Sequence, residues 1–129
     1  MTGTSGTPRR AVMKKILVID DDPAIVAYLT SLFSDNGYEV VDAADAKEGL
    51  EAARAHKPDL ITLDLEMPGE WGPRFYRKMS QDPELKNTPV IVISGLSGSQ
   101  YSISKAAASV SKPFDREKLL GIVKDLLKE

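Results

Sequence analysis

Short runs of aliphatic and β-branched residues alternate along this chain with longer segments whose apolar positions recur at helical spacing. "ILVI", residues 16–19, runs into three aspartates and a proline and reads as a buried strand. Asp22-Pro23 supplies a helix cap and a first-turn proline. Ile25, Leu29, Leu32 and Phe33 make one face of the helix that follows, and "DNG" closes it at Gly37. "YEVVDA" is a second strand. "DAKEGLEAARAHK" is a second helix, with Asp45 and Glu48 spaced as a capping box. "PDLITLDL" is a third strand, "EMPGEWG" a loop with Trp71 partly exposed, and a short helix then carries Phe75 and Met79. "TPVIVISG" is a fourth strand and "ASVS" a weak fifth. The last helix starts at Asp115, with Leu119, Ile122, Val123 and Leu126 on one face.

Strands alternating with helices at this spacing predict right-handed crossovers and a parallel sheet covered on both faces. Such sheets bind ligands beyond the carboxyl ends of their strands. The residues standing there are Asp20 and Asp21 after the first strand, Asp64 after the third, Ser94 after the fourth and Lys112 after the fifth. Each alone has an ordinary reading as a turn, a cap or a surface lysine. Their joint placement after four strands points instead to one site.

Composition narrows the function classes. The chain has 129 residues, 17 basic and 19 acidic, so no charge excess suggests nucleic acid or membrane binding. The absence of cysteine excludes a disulfide framework and a thiolate metal site, and fits a cytoplasmic protein. No apolar run approaches the roughly 18 residues of a membrane span. Residues 1–13, rich in Gly, Thr and Ser, read as a disordered leader ahead of one domain spanning 14–129.

Clustered carboxylates repel unless a cation sits among them, and Mg²⁺ suits carboxylate and water ligands. Asp20 and Asp21 adjoin at a strand end and can share such an ion, while Asp22 turns away to cap the helix. A carboxylate such as Asp64 can attack phosphorus to form an acyl phosphate. Phosphoryl transfer needs positioning and charge neutralisation above all. Mg²⁺ on one phosphoryl oxygen, Lys112 on another and the Ser94 hydroxyl on a third would supply both. Gly95 leaves room for the incoming group.

In "ILVIDDDP", "PDLITLDLEMPGEWG", "TPVIVISG" and "SKPF", in that order, the chain resembles a response-regulator receiver domain of two-component phosphorelays. The resemblance implies a doubly wound, flavodoxin-like sheet of five parallel strands in the order 2-1-3-4-5, with helices on both faces. It implies that Asp64 is the phosphoacceptor and also a metal ligand, with Asp20, Asp21 and the backbone carbonyl of Glu66 completing the Mg²⁺ site. Ser94 would be the switch hydroxyl and Lys112 the phosphate-binding lysine. The phosphodonor would be a sensor histidine kinase, a histidine phosphotransfer protein or a small phosphodonor. The output partner is open, and neither direct DNA binding nor membrane insertion is expected. The domain would be a self-modifying switch and not an enzyme with an external substrate.

Departures from the family pattern gather after Ser94. The stretch to Lys112 is shorter than usual, Lys105-Ala106 stands where Gly-Ala is common, and Ser109 stands where an aromatic residue usually couples to the switch hydroxyl. The fourth helix, between the fourth and fifth strands, is therefore expected to be shortened or irregular, with Tyr101 a possible replacement for the aromatic. An alternative reading is a receiver-like interaction module that works without phosphorylation. A flavin or nucleotide carrier using "SGLSGS" would leave Asp20, Asp21 and Lys112 unexplained. His56, the one histidine, ends a polar helix and reads as solvated. A stand-alone receiver and a domain of a longer regulator both fit.

Overall fold

The computed structural model describes residues 13–65, 71–95, 108–112 and 114–128, with the backbone alone at 71–73, 109 and 111. Five strands alternate with four helices among these residues. They are β1 (Lys15–Ile19), α1 (Pro23–Asp35), β2 (Glu39–Ala43), α2 (Ala46–His56), β3 (Leu60–Asp64), α3 (Trp71–Ser80), β4 (Val90–Ser94), β5 (Ala108–Ser111) and α4 (Arg116–Leu127). The strands form one parallel sheet in the order β2-β1-β3-β4-β5.

The period of two along each strand divides the core into two layers. Leu17, Ile19, Ile61, Leu63, Val90 and Val92 pack with Leu50 and Ala53 of α2 and Phe75 and Met79 of α3. Ile16, Val18, Leu60, Ile91, Ile93 and Val110 pack with Leu29, Leu32 and Phe33 of α1 and Leu119, Val123 and Leu127 of α4. Both faces of the sheet are thus covered. That is why its central strands are continuous apolar runs and not alternations.

The helix ends follow from short polar side chains. Asp22 accepts the Ala24 N–H at 2.9 Å, Asp45 the Glu48 N–H at 2.8 Å, and Asp115 the Glu117 N–H at 2.9 Å. The capping box at α2 differs from expectation in one bond. Glu48 reaches back to the N–H of Ala44, one residue before the cap, at 3.0 Å. Gly37 closes α1 with φ of +91°, a conformation that favours glycine.

Trp71, a loop residue by the sequence pattern, instead opens α3. Pro73 suits that first turn, where its missing N–H needs no partner. Of the expected leader only Met13 is described. The stretch 96–107, which holds Tyr101 and the expected shortened fourth helix, lies outside the described residues. So does Glu66, and so does the side chain of Ser109. No helix among the described residues is long and apolar enough to cross a membrane.

Gly49 lies inside α2, where alanine is normally better by about 1 kcal/mol. A Cβ there would meet Ile19 Cδ1 at 2.7 Å and Phe75 Cε1 at 3.4 Å, in a closed part of the core. Overpacking of this kind costs about 1–3 kcal/mol and outweighs the propensity gain. Gly49→Ala should therefore lower stability by about 1 kcal/mol in urea unfolding. In an Ile19→Val background, which removes the 2.7 Å contact and keeps the Cγ1 contact at 3.2 Å, the same substitution should cost measurably less. A stabilising Gly49→Ala in the wild-type background would show that Ile19 moves aside freely.

Candidate functional site

Sheet register brings the predicted residues together. Ile19 pairs with Leu63, so the next residues on these two strands are Asp20 and Asp64, side by side at the carboxyl edge. Both also continue the row of Ile16, Val18, Leu60 and Thr62 on the α1/α4 face. Asp64 pairs with Ile93, and Ser94 with Ser111, which puts Lys112 next in line. The Lys112 N–H donates to the Ser94 carbonyl at 2.8 Å and extends the ladder one residue further.

Asp20 is 2% exposed and Asp64 3% exposed, so both carboxylates are out of solvent, while Asp21 is exposed. Carboxylate oxygens of the three lie within 4.8 Å of one another. Ser94, one residue past the strand partner of Asp64, is buried at the same edge of the sheet. Lys112 is the cation of the cluster among the described residues, with its Nζ 3.6 Å from Asp20 Oδ2 and 3.5 Å from Asp64 Oδ1. The Asp22 N–H donates to Asp20 Oδ1 at 2.9 Å, forming an Asx turn that aims Asp20 while Asp22 caps α1. The three consecutive aspartates thus serve different ends. Asp20 is buried in the site, Asp21 faces solvent at its rim and Asp22 caps a helix.

Burial pushes the Asp20 carboxyl from its ordinary 3.8 up to about 6. The Asp22 N–H and the Lys112 ammonium oppose the rise, and the charges of Asp64 and Asp21 add to it. Among the described residues, one ammonium stands against three carboxylates. The oxygen-only donor set, its spacing and this shortage of positive charge fit a hard divalent cation such as Mg²⁺. The Glu66 carbonyl, expected as a further ligand, lies outside the described residues.

Sequence reasoning places Lys112 against a phosphoryl group but misses that it bridges Asp20 and Asp64. It also misses Asp42, which lines a groove of about 520 Å³ with Asp20 and Asp21 between β2 and α1. The alternation in "EVVDA", with Ala43 on the α2 face, puts Asp42 on the other face and could have revealed it. The Thr30 Oγ1 in this groove is buried without a hydrogen-bond partner among the described residues. His56 is exposed at the end of α2, at the other edge of the sheet, and its carbonyl accepts from Lys15 Nζ at 3.2 Å.

Residues 16–124 match the model of the response regulator receiver domain. The chain belongs to the receiver-domain family. This receiver is 40% identical over 109 residues to the protein Rrf1 of Nitratidesulfovibrio vulgaris, covering 84% of this chain and 79% of that one. It is 30% identical to the protein PilH of Pseudomonas aeruginosa, covering 89% of this chain and 98% of that one. Among solved structures it resembles the chemotaxis response regulator CheY4 of Vibrio cholerae, with a TM-score of 0.81 and 28% identity. That likeness covers 89% of this chain and 99% of CheY4. The receiver is thus a module of two-component signalling, and its acidic cluster fits a metal site.

Asp20 also sets a pH dependence. Between pH 3.8 and about 6 the folded receiver keeps a proton that the unfolded chain has lost. Stability is therefore withdrawn as pH rises through this window and restored as it falls, by about 3 kcal/mol in full. Asp20→Asn removes that penalty and also one partner of Lys112. The metal-free variant should be more stable than wild type by about 1–2 kcal/mol above neutral pH, with the difference closing near pH 4. Urea titrations across pH check this, and a variant less stable at every pH would mean that Lys112 more than offsets the burial.

Proposed function

We propose that Asp64 accepts a phosphoryl group and that the acyl phosphate changes the surface this receiver offers to an output partner. The donor is the phosphohistidine of a sensor histidine kinase or histidine phosphotransfer protein, or a small phosphodonor. The observation that carries this reading is the buried Asp64 carboxylate, with two further acids within 4.8 Å of it and an ammonium 3.5 Å away.

In the step itself an Asp64 carboxylate oxygen attacks phosphorus. The P–O bond forms as the P–N bond to the donor histidine breaks. The imidazole leaves with that electron pair and takes up a proton. Asp20, Asp21 and Asp64 would hold Mg²⁺, which when bound supplies positive charge against the phosphoryl oxygens. Lys112, already 3.5 Å from Asp64, is placed to neutralise another of these oxygens. Ser94, one residue past the strand partner of Asp64 at the end of β4, donates its hydroxyl hydrogen to a third. The Asp22 N–H holds Asp20 in position through the step. The acceptor is the receiver's own side chain, so no external substrate is turned over.

Intact mass after incubation with acetyl phosphate tests the reading. Wild type should gain one phosphoryl adduct with Mg²⁺ and none after chelation, and Asp64→Asn should gain none while folding normally. An adduct that persists in Asp64→Asn, or a folded wild type that never acquires one, overturns it. Asp21→Ala should weaken Mg²⁺ binding roughly tenfold, about 1.4 kcal/mol, and slow phosphorylation in parallel. Titrations of Mg²⁺ followed by amide chemical shifts give the first quantity. Loss of phosphorylation with unchanged Mg²⁺ affinity would remove Asp21 from the metal site.

A further inference from the structure

Helices α2 and α3 run side by side over one face of the sheet, and the groove between them is edged by basic side chains. Lys47 and Arg54 stand a heptad apart on α2, and Arg74 and Lys78 one turn apart on α3, so each pair shares a helix face. All four line a groove of about 360 Å³ in which Glu51 is the one acid among the described residues. The buried side chains of Leu50 and Phe75 form its floor. Four bases against one acid is a local reversal in a chain of net charge -2. Arg54 is tied to Asp82 at 3.2 Å. Lys47 and Lys78 are exposed and make no ion pair among the described residues. None of Asp20, Asp21, Asp64, Ser94 and Lys112 lines this groove.

We infer that this groove docks an acidic amphipathic segment of a partner protein. Lys47 and Arg54 are about 10 Å apart along the helix axis. A segment with carboxylates a heptad apart matches them, and its intervening apolar residues cover the aliphatic stems of the bases above the buried Leu50 and Phe75. The charge pattern favours a peptide over a nucleic acid. Glu51 stands midway along the α2 rail, so an evenly charged phosphate polymer meets repulsion there. A peptide can place neutral or basic residues there. Exposed charge recognition of this kind acts mainly on encounter rate and specificity and weakens with salt. The inference stands apart from the phosphoryl chemistry and does not depend on it.

The test uses the full chain and a fluorescent synthetic helical peptide with Glu at heptad spacing and Leu between. Fluorescence anisotropy should show binding that weakens about tenfold or more in the double variant Lys47→Glu/Lys78→Glu, and also on raising salt. Amide shifts on binding should concentrate in α2 and α3. Both lysines are exposed, and circular dichroism verifies the fold; Lys47→Gln/Lys78→Gln, with a smaller loss expected, serves if the reversal variant unfolds. No binding of the peptide, or binding that ignores the substitutions, overturns the inference. Equal or tighter binding of a single-stranded oligonucleotide overturns it too, since the groove would then be a general polyanion surface.

Discussion

Two buried carboxylates placed side by side, with one ammonium between them, are the constraint around which this receiver is organised. Asp20 and Asp64 repel each other in a medium that screens poorly, and burial above all raises the Asp20 pKa to about 6. Nothing in packing favours such an arrangement. It persists because both side chains end strands whose apolar residues are locked into two core layers, and register leaves the aspartates no other place. Lys112 relieves part of the repulsion at 3.5 and 3.6 Å. The remaining deficit of positive charge among the described residues is what fits the cluster to a cation.

The rest of the fold serves this edge. Parallel pairing delivers every strand's carboxyl end to the same side, and the crossover helices keep solvent from both faces of the strands. Short capping bonds then turn the chain sharply away, so that the functional residues stand directly on strand ends and not on long loops. Asp22 is the clearest case. Its side chain starts α1 while its N–H orients Asp20, so one residue both ends the strand segment and aims the site.

Charge is distributed unevenly over the surface. The carboxyl edge is acidic, with Asp42 adding to Asp20 and Asp21 along the groove by α1. The flank formed by α2 and α3 is basic. The two regions lie on different parts of the molecule and have opposite electrostatic requirements, so they suit different partners. At the acidic edge the clustered carboxylates fit a hard cation. The other offers long, exposed cationic side chains, whose contribution depends on how well a partner's carboxylates match their spacing.

The order of elements, the strand positions and the candidate residues Asp20, Asp21, Asp64, Ser94 and Lys112 were all legible in the sequence. The reason is that periods of two and of three to four residues are local properties, and a strand end in a parallel α/β chain is a functional address whatever the details. Helix starts were legible at Asp22, Asp45 and Asp115 for the same local reason. Trp71 was not, because Pro73 reads as a breaker until its position in the first turn is known. Nor was the Lys112 bridge, since residues 48 positions apart meet only through the pairing of β3, β4 and β5. The basic groove was likewise hidden: Lys47 and Arg54 are ordinary solvent residues of one helix, as Arg74 and Lys78 are of another. What the sequence by itself determined was which residues reach the edge of the sheet. Only the tertiary structure decided which charges become neighbours, because Coulomb interactions depend on distances that strand register and helix packing set.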